Sequence, residues 1–200
     1  MNNKLVWTAI YFSVLAWSAI NPADPFTWWL EALPALIALP ILFFTRKGFP
    51  LTPLAYGLVL VHCAVLFVGA HYTYAEVPLF DTLAQWMGSE RNNYDKVGHF
   101  TQGFVPVMLA REVMLRHQAV KAGGWCAFLS TCFALALSAF YELIEWWVAV
   151  ATGDDAEAFL GTQGYVWDTQ SDMFLALIGA VVALISLSRL QDKQIANLSN

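Results

Sequence analysis

Six apolar stretches, each close to the length needed to cross a bilayer, use up nearly all of this 200-residue chain. A spanning helix requires about 20 mostly apolar residues, and residues 5–21, 26–44, 53–72, 95–116, 124–151 and 169–189 meet that requirement approximately. Hydrophobic residues are 58% of the chain and charged residues 12%, against about 45–50% and 25% in a soluble domain. The expected fold is all-α: a polytopic six-transmembrane-helix bundle forming a single integral membrane domain over 1–200. Little chain is left for a soluble catalytic domain, so any chemistry belongs inside the bundle or at its rims.

Basic residues orient such a bundle, because Lys and Arg near span ends stay on the cytoplasmic side. Lys4, Arg46, Lys47, Arg111, Arg116, Lys121, Arg189 and Lys193 fall on one side of the alternating spans, and only Arg91 and Lys96 on the other. Both termini are therefore expected in the cytoplasm, with loops 22–25, 73–94 and 152–168 outside. Those outer loops are acidic, carrying Asp24, Glu76, Asp81, Asp154, Asp155 and Glu157. The first stretch contains Trp7 and Trp17 and ends at Asn21-Pro22 without a small-x-small site, which favours a retained helix over a cleaved signal peptide. The net charge is −5, and no nucleic-acid partner is expected. Cys63, Cys126 and Cys132 all lie in spans and show neither disulfide nor zinc spacing.

Phe26, Trp28 and Trp29 read as an outer aromatic belt, and Pro34 and Pro40 should bend the second span. Glu31, a turn below the belt, faces either the bundle interior or water. His62 and His71 fall on opposite faces of the third span; His71 is the nearer to the outer end. Between Leu79 and Glu90 the apolar residues recur at helical spacing, which predicts a short helix lying on the outer surface.

Chemistry concentrates in the last three spans. Asp95 and His99 are four apart and share a helix face, continued by Gln102 and Pro106. Glu142 and Glu145, three apart, share a face with Ser138 and Tyr141, and Asp168 and Asp172 form a third pair with Gly179 below them. At about 1.5 Å per residue, all three pairs lie in roughly the outer third of the membrane. Neighbouring elements in sequence tend to be neighbours in space, so five carboxylates and one imidazole are expected to converge.

Like charges in a low-dielectric pocket raise one another's pKa, and a divalent cation removes that conflict. His99, Glu142 and Asp172 are the first candidate ligands, followed by Glu145 and Asp168, with Asp95 orienting the imidazole. Zinc, manganese, iron and magnesium all remain open. Two other readings stand beside this one: a proton or cation pathway through the same acids, and a structural network in which Asp95 and Asp168 cap their helices and Lys96 pairs with an acid. Arg111 and Glu112 look separate from the site, Arg111 extending to headgroups. Tyr165 and Trp167, after the run Gly161-Thr162-Gln163-Gly164, are placed to line the mouth or to join the aromatic belt.

The blocks Asp95-Lys96-Val97-Gly98-His99-Phe100, Phe140-Tyr141-Glu142-Leu143-Ile144-Glu145-Trp146 and Trp167-Asp168-Thr169-Gln170-Ser171-Asp172-Met173 resemble the YjdF-type bacterial inner-membrane proteins. That resemblance covers most of the chain and implies a multi-pass inner-membrane protein. Helices four to six are more distantly similar to VanZ-like membrane proteins, a family associated with the cell envelope. The chain departs from that pattern: Glu145 stands where a glutamine is common, and Ala176 replaces an asparagine.

The sequence thus points to a carboxylate and histidine pocket near the outer face. Its expected activity is metal-dependent hydrolysis of a lipid or envelope precursor, with Glu142 or Glu145 as general base. The competing classes are a proton- or cation-coupled transporter and a noncatalytic envelope factor. No repeat or two-half symmetry supports the transporter.

Overall fold

The computed structural model describes residues 3–153 and 162–198. Asp154, Asp155, Glu157 and Gly161, read above as parts of an outer loop, lie outside the described residues. Among the described residues the chain forms seven α-helices: α1 Asn3–Ala19, α2 Pro25–Thr45, α3 Pro53–His71, α4 Pro78–Trp86, α5 Tyr94–Arg116, α6 Gly124–Thr152 and α7 Asp168–Leu198. The all-helical expectation is met.

Four of these helices, α2, α3, α6 and α7, are long and apolar enough to cross a membrane. Helix α1 is apolar but shorter, and α5 has the length, at 23 residues, but carries the polar stripe described below. Large apolar side chains on the helices face outward, among them Phe44, Phe133, Phe140 and Ile185. An outward apolar surface of this kind is what lipid selects and water does not. Helix α7 runs past the expected span end at 189 to Leu198, and α4 is shorter than the 79–90 segment expected.

The chain divides into two compact units interleaved along the sequence. The first comprises Met1–Leu42, Leu60–Gly98 and Ile144–Val166, the second Phe43–Val59, His99–Leu143 and Trp167–Asn200. Helices α2, α3, α5 and α6 each contribute to both.

In the first unit, Tyr11 is the central anchor. Its ring meets Phe67 edge-on with centroids 5.3 Å apart, and its hydroxyl donates to the Ala35 carbonyl at 2.8 Å. A buried tyrosine needs such a partner for its hydroxyl. Helix α2 starts where it does because Asp24 accepts from the Thr27 N–H at 2.6 Å and Pro25 at the first helical position has no N–H to satisfy. Tyr74, held at φ 55°, inserts its ring against Gly69 of α3 and Gly98 of α5, where any added Cβ would overlap the ring.

The second unit is built on close approach of α5 and α7. Gly103 lies against the Ala176 backbone, and Gly179 lies against the Phe100 carbonyl. Reciprocal glycines allow helix backbones to pack without a side chain between them. Around this seam Val107, Met108, Ala134, Ala180 and Ala183 form the buried core, with Leu54, Leu58, Phe104, Leu184 and Leu187 packed on it.

At the C-terminal end of α5 the second unit buries a polar network. Glu112, fully buried, accepts from the Thr52 N–H at 2.8 Å and the Thr52 hydroxyl at 2.6 Å, and from Arg116 at 3.1 Å. Gln191 donates to the Met108 carbonyl at 2.8 Å and to Glu112 at 3.4 Å. Arg111 donates to Gln191 at 2.8 Å and to Asp192 at 2.7 Å. The expectation that Arg111 extends to headgroups is corrected: α7 continues beyond the apolar span and supplies acceptors that turn the guanidinium inward.

Candidate functional site

Helix α5 opens on a short structured lead. Asn92 accepts from the Tyr94 N–H at 3.1 Å and donates to Asp81 at 2.6 Å and to the Val77 carbonyl at 3.0 Å. Asn92 and Gln163 also exchange backbone-to-side-chain hydrogen bonds of 2.9 and 2.8 Å. Asn92 thereby supplies a side-chain cap at the start of α5, and Asp95 follows in the first turn.

His99 comes one turn later and is 5% exposed. Its two ring nitrogens face carboxylates from two different helices. Nδ1 is 3.7 Å from Glu142 Oε1 of α6, and Nε2 is 3.9 Å from Asp172 Oδ2 of α7. Both distances exceed ordinary hydrogen-bonding range. Glu142, Asp168 and Asp172 are all buried. Asp95 stands four residues before His99 on the same continuous helix.

The remaining candidates have distinct settings. Glu145 lies one turn past Glu142 on α6 and is half-buried. Asp168 is the first residue of α7. Ser138, one turn before Glu142, is buried with its hydroxyl lacking a hydrogen-bond partner among the described residues. A burial of that kind is uncommon without an ordered water, ion or ligand nearby.

Two cations approach Asp95, one of them expected to pair with an acid and the other not. Arg91 Nη2 and Lys96 Nζ are each 3.8 Å from Asp95 Oδ2. Both cations also stand over the Tyr165 ring, at 5.4 and 5.8 Å from its centroid, and Arg91 donates to the Thr162 carbonyl at 2.6 Å. The pairing of Lys96 with an acid was legible from sequence; Arg91 was legible only as a charge on the sparse side of the topology. Trp167 is exposed. His71 is accounted for elsewhere: its Nδ1 lies 3.0 Å from the Ser18 carbonyl, and its ring packs on Trp17 at 4.6 Å.

Long apolar helices with lipid-compatible exteriors and ionisable groups turned inward define a multi-pass integral membrane protein. The chain belongs to the family described as "Predicted membrane protein (DUF2238)", whose model matches residues 3–193. It is 48% identical over 182 residues to Inner membrane protein YjdF of Escherichia coli (strain K12), covering 91% of this chain and 87% of that relative. No solved structure matches the chain.

Proposed function

We propose that this protein is a hydrolase of the bacterial cytoplasmic membrane that uses one divalent metal ion, held by His99 and Asp172, to cleave the headgroup or linkage of a lipid or envelope precursor. One observation carries the reading: a buried imidazole with a carboxylate from a different helix opposite each ring nitrogen. Two ligand atoms bound at about 2.0–2.2 Å to one ion lie at most about 4.4 Å apart. The 3.9 Å between His99 Nε2 and Asp172 Oδ2 fits under that limit.

Nδ1 points the other way and cannot bind the same ion. Glu142, 3.7 Å from it, is then the acceptor that fixes the tautomer and raises the basicity of Nε2. Asp168 holds the start of α7 beside Asp172. A bound divalent ion supplies Lewis acidity and lowers the pKa of coordinated water. Glu145, one turn along α6, is the carboxylate available as general base, with Glu142 as the second candidate. Mixed imidazole and carboxylate donors suit zinc, manganese or iron, and magnesium is the weakest match.

The reading includes six spans with both termini in the cytoplasm. Helix α5 crosses despite its polarity because His99, Arg111 and Glu112 are buried in protein rather than exposed to lipid. This topology puts the site where lipid linkages meet water.

Elemental analysis of gently purified protein is the first test. Wild type should carry about one equivalent of metal, and His99→Ala and Asp172→Asn none. Wild type that neither retains metal nor gains stability from any added divalent ion removes the basis of the mechanism. Hydrolysis itself is read by incubating metal-loaded protein with total membrane lipid in ¹⁸O-water. Solvent oxygen should enter a released product with wild type and not with His99→Ala.

A further inference from the structure

The strongest unexplained group lies on α2, a helix that supplies none of the ligands proposed above. Glu31 is 3% exposed, and its Oε2 has no hydrogen-bond partner among the described residues. The first unit also holds Asp95 and Asp24, both acidic. Each of those acids is answered nearby: Asp24 accepts from the Thr27 N–H at 2.6 Å, and Asp95 faces Arg91 and Lys96 at 3.8 Å each. A carboxylate buried without proton, cation or donor is among the costliest arrangements a protein can hold.

Further oxygens accompany it on the same helix. Thr27, one turn earlier on the buried face of α2, is 1% exposed, and its hydroxyl also lacks a partner among the described residues. Pro34 lies inside the helix and has no N–H, so the Leu30 carbonyl four residues back loses its intrahelical donor. Carboxylate, hydroxyl and a released backbone carbonyl within about one turn are hard oxygen donors. Proline-interrupted membrane helices use such carbonyls to coordinate Na⁺.

We propose that Glu31, Thr27 and the Leu30 carbonyl form a binding site for a monovalent alkali cation within the first unit, distinct from the His99 site. Ionised, Glu31 brings one negative charge, which a single positive one answers. A divalent ion would leave an excess in a buried setting. The site is independent of the hydrolase reading, so either can fail alone.

The test is thermal unfolding of the full-length protein in detergent while choline chloride is replaced by NaCl, KCl or LiCl at constant ionic strength. Wild type should show a saturable rise in Tm with Na⁺, as a ligand that binds only the folded state requires. Glu31→Gln should be at least as stable as wild type in choline and should not respond to Na⁺. Thr27→Val should keep the response with its midpoint moved to about tenfold higher Na⁺. A wild-type Tm indifferent to all three alkali cations overturns the site in favour of a protonated Glu31. A Glu31→Gln variant that still responds overturns the assignment to this residue.

Discussion

Helix α5 carries a buried polar cluster toward each end, and the second unit treats the two in opposite ways. Around Glu112 the partners close to hydrogen-bonding distance: both carboxylate oxygens accept from Thr52, at 2.8 and 2.6 Å, and Arg116 adds a third donor at 3.1 Å. Around His99 the facing carboxylates stop at 3.7 and 3.9 Å. The residue types are similar and burial is comparable, so composition does not distinguish the clusters. Spacing does. A fully satisfied buried network stabilises and specifies a fold, whereas the wider spacing around His99 is what the proposed metal site rests on.

The comparison predicts that the same kind of substitution has different consequences at the two ends. Glu112→Ala strips a partner from Thr52, Arg116 and Gln191 together and should destabilise by about 3–5 kcal/mol, measured by denaturant unfolding in mixed micelles. A loss under about 1 kcal/mol would mean that the network is not what holds this end. Gly103→Val drives a side chain into the Ala176 backbone and should cost about 1–3 kcal/mol; because the seam lies between the clusters, metal retention should fall as well.

At the other end, Asp172→Asn should change the stability of metal-free protein by less than about 1 kcal/mol, since the amide keeps the size and shape of the carboxylate. Its effect should appear instead as loss of bound metal. The smallest change is expected for Glu142→Gln, which should retain metal with affinity lowered about 10–100-fold, read by competition with a chelating dye. If Glu142→Gln loses metal as completely as Asp172→Asn, Glu142 is a direct ligand and the division of labour across the imidazole is wrong.

Much of this was readable without coordinates, for identifiable reasons. Apolar runs of bilayer length announce helices, and the three-residue and four-residue spacings of Glu142/Glu145 and Asp168/Asp172 place side chains on shared faces. Helical spacing alone therefore points His99, Glu142 and Asp172 inward, and Glu142 and Asp172 lie 3.7 and 3.9 Å from the imidazole. Which ring nitrogen meets which acid depends on helix rotation, which periodicity leaves undetermined. Arg111 was misread because its acceptors, Gln191 and Asp192, lie 80 and 81 residues away. Glu31 showed only as a charge near an interface, since its burial is set by packing that the α2 pattern does not encode. The span count is likewise less clear in α5, where inward polar residues dilute the apolar signal.

Glu112 also bears on the order in which the protein is made. Its carboxylate receives the amide at the start of α3 from 60 residues upstream and the Gln191 amide from 79 residues downstream. As the ribosome feeds the chain into the membrane, α3 and α5 are present long before the segment that finishes their junction. The second unit can therefore lock only once α7 has followed α5 into the membrane, which makes α7 the fastening step of biogenesis and a chain stalled or clipped before it an early target for membrane proteases.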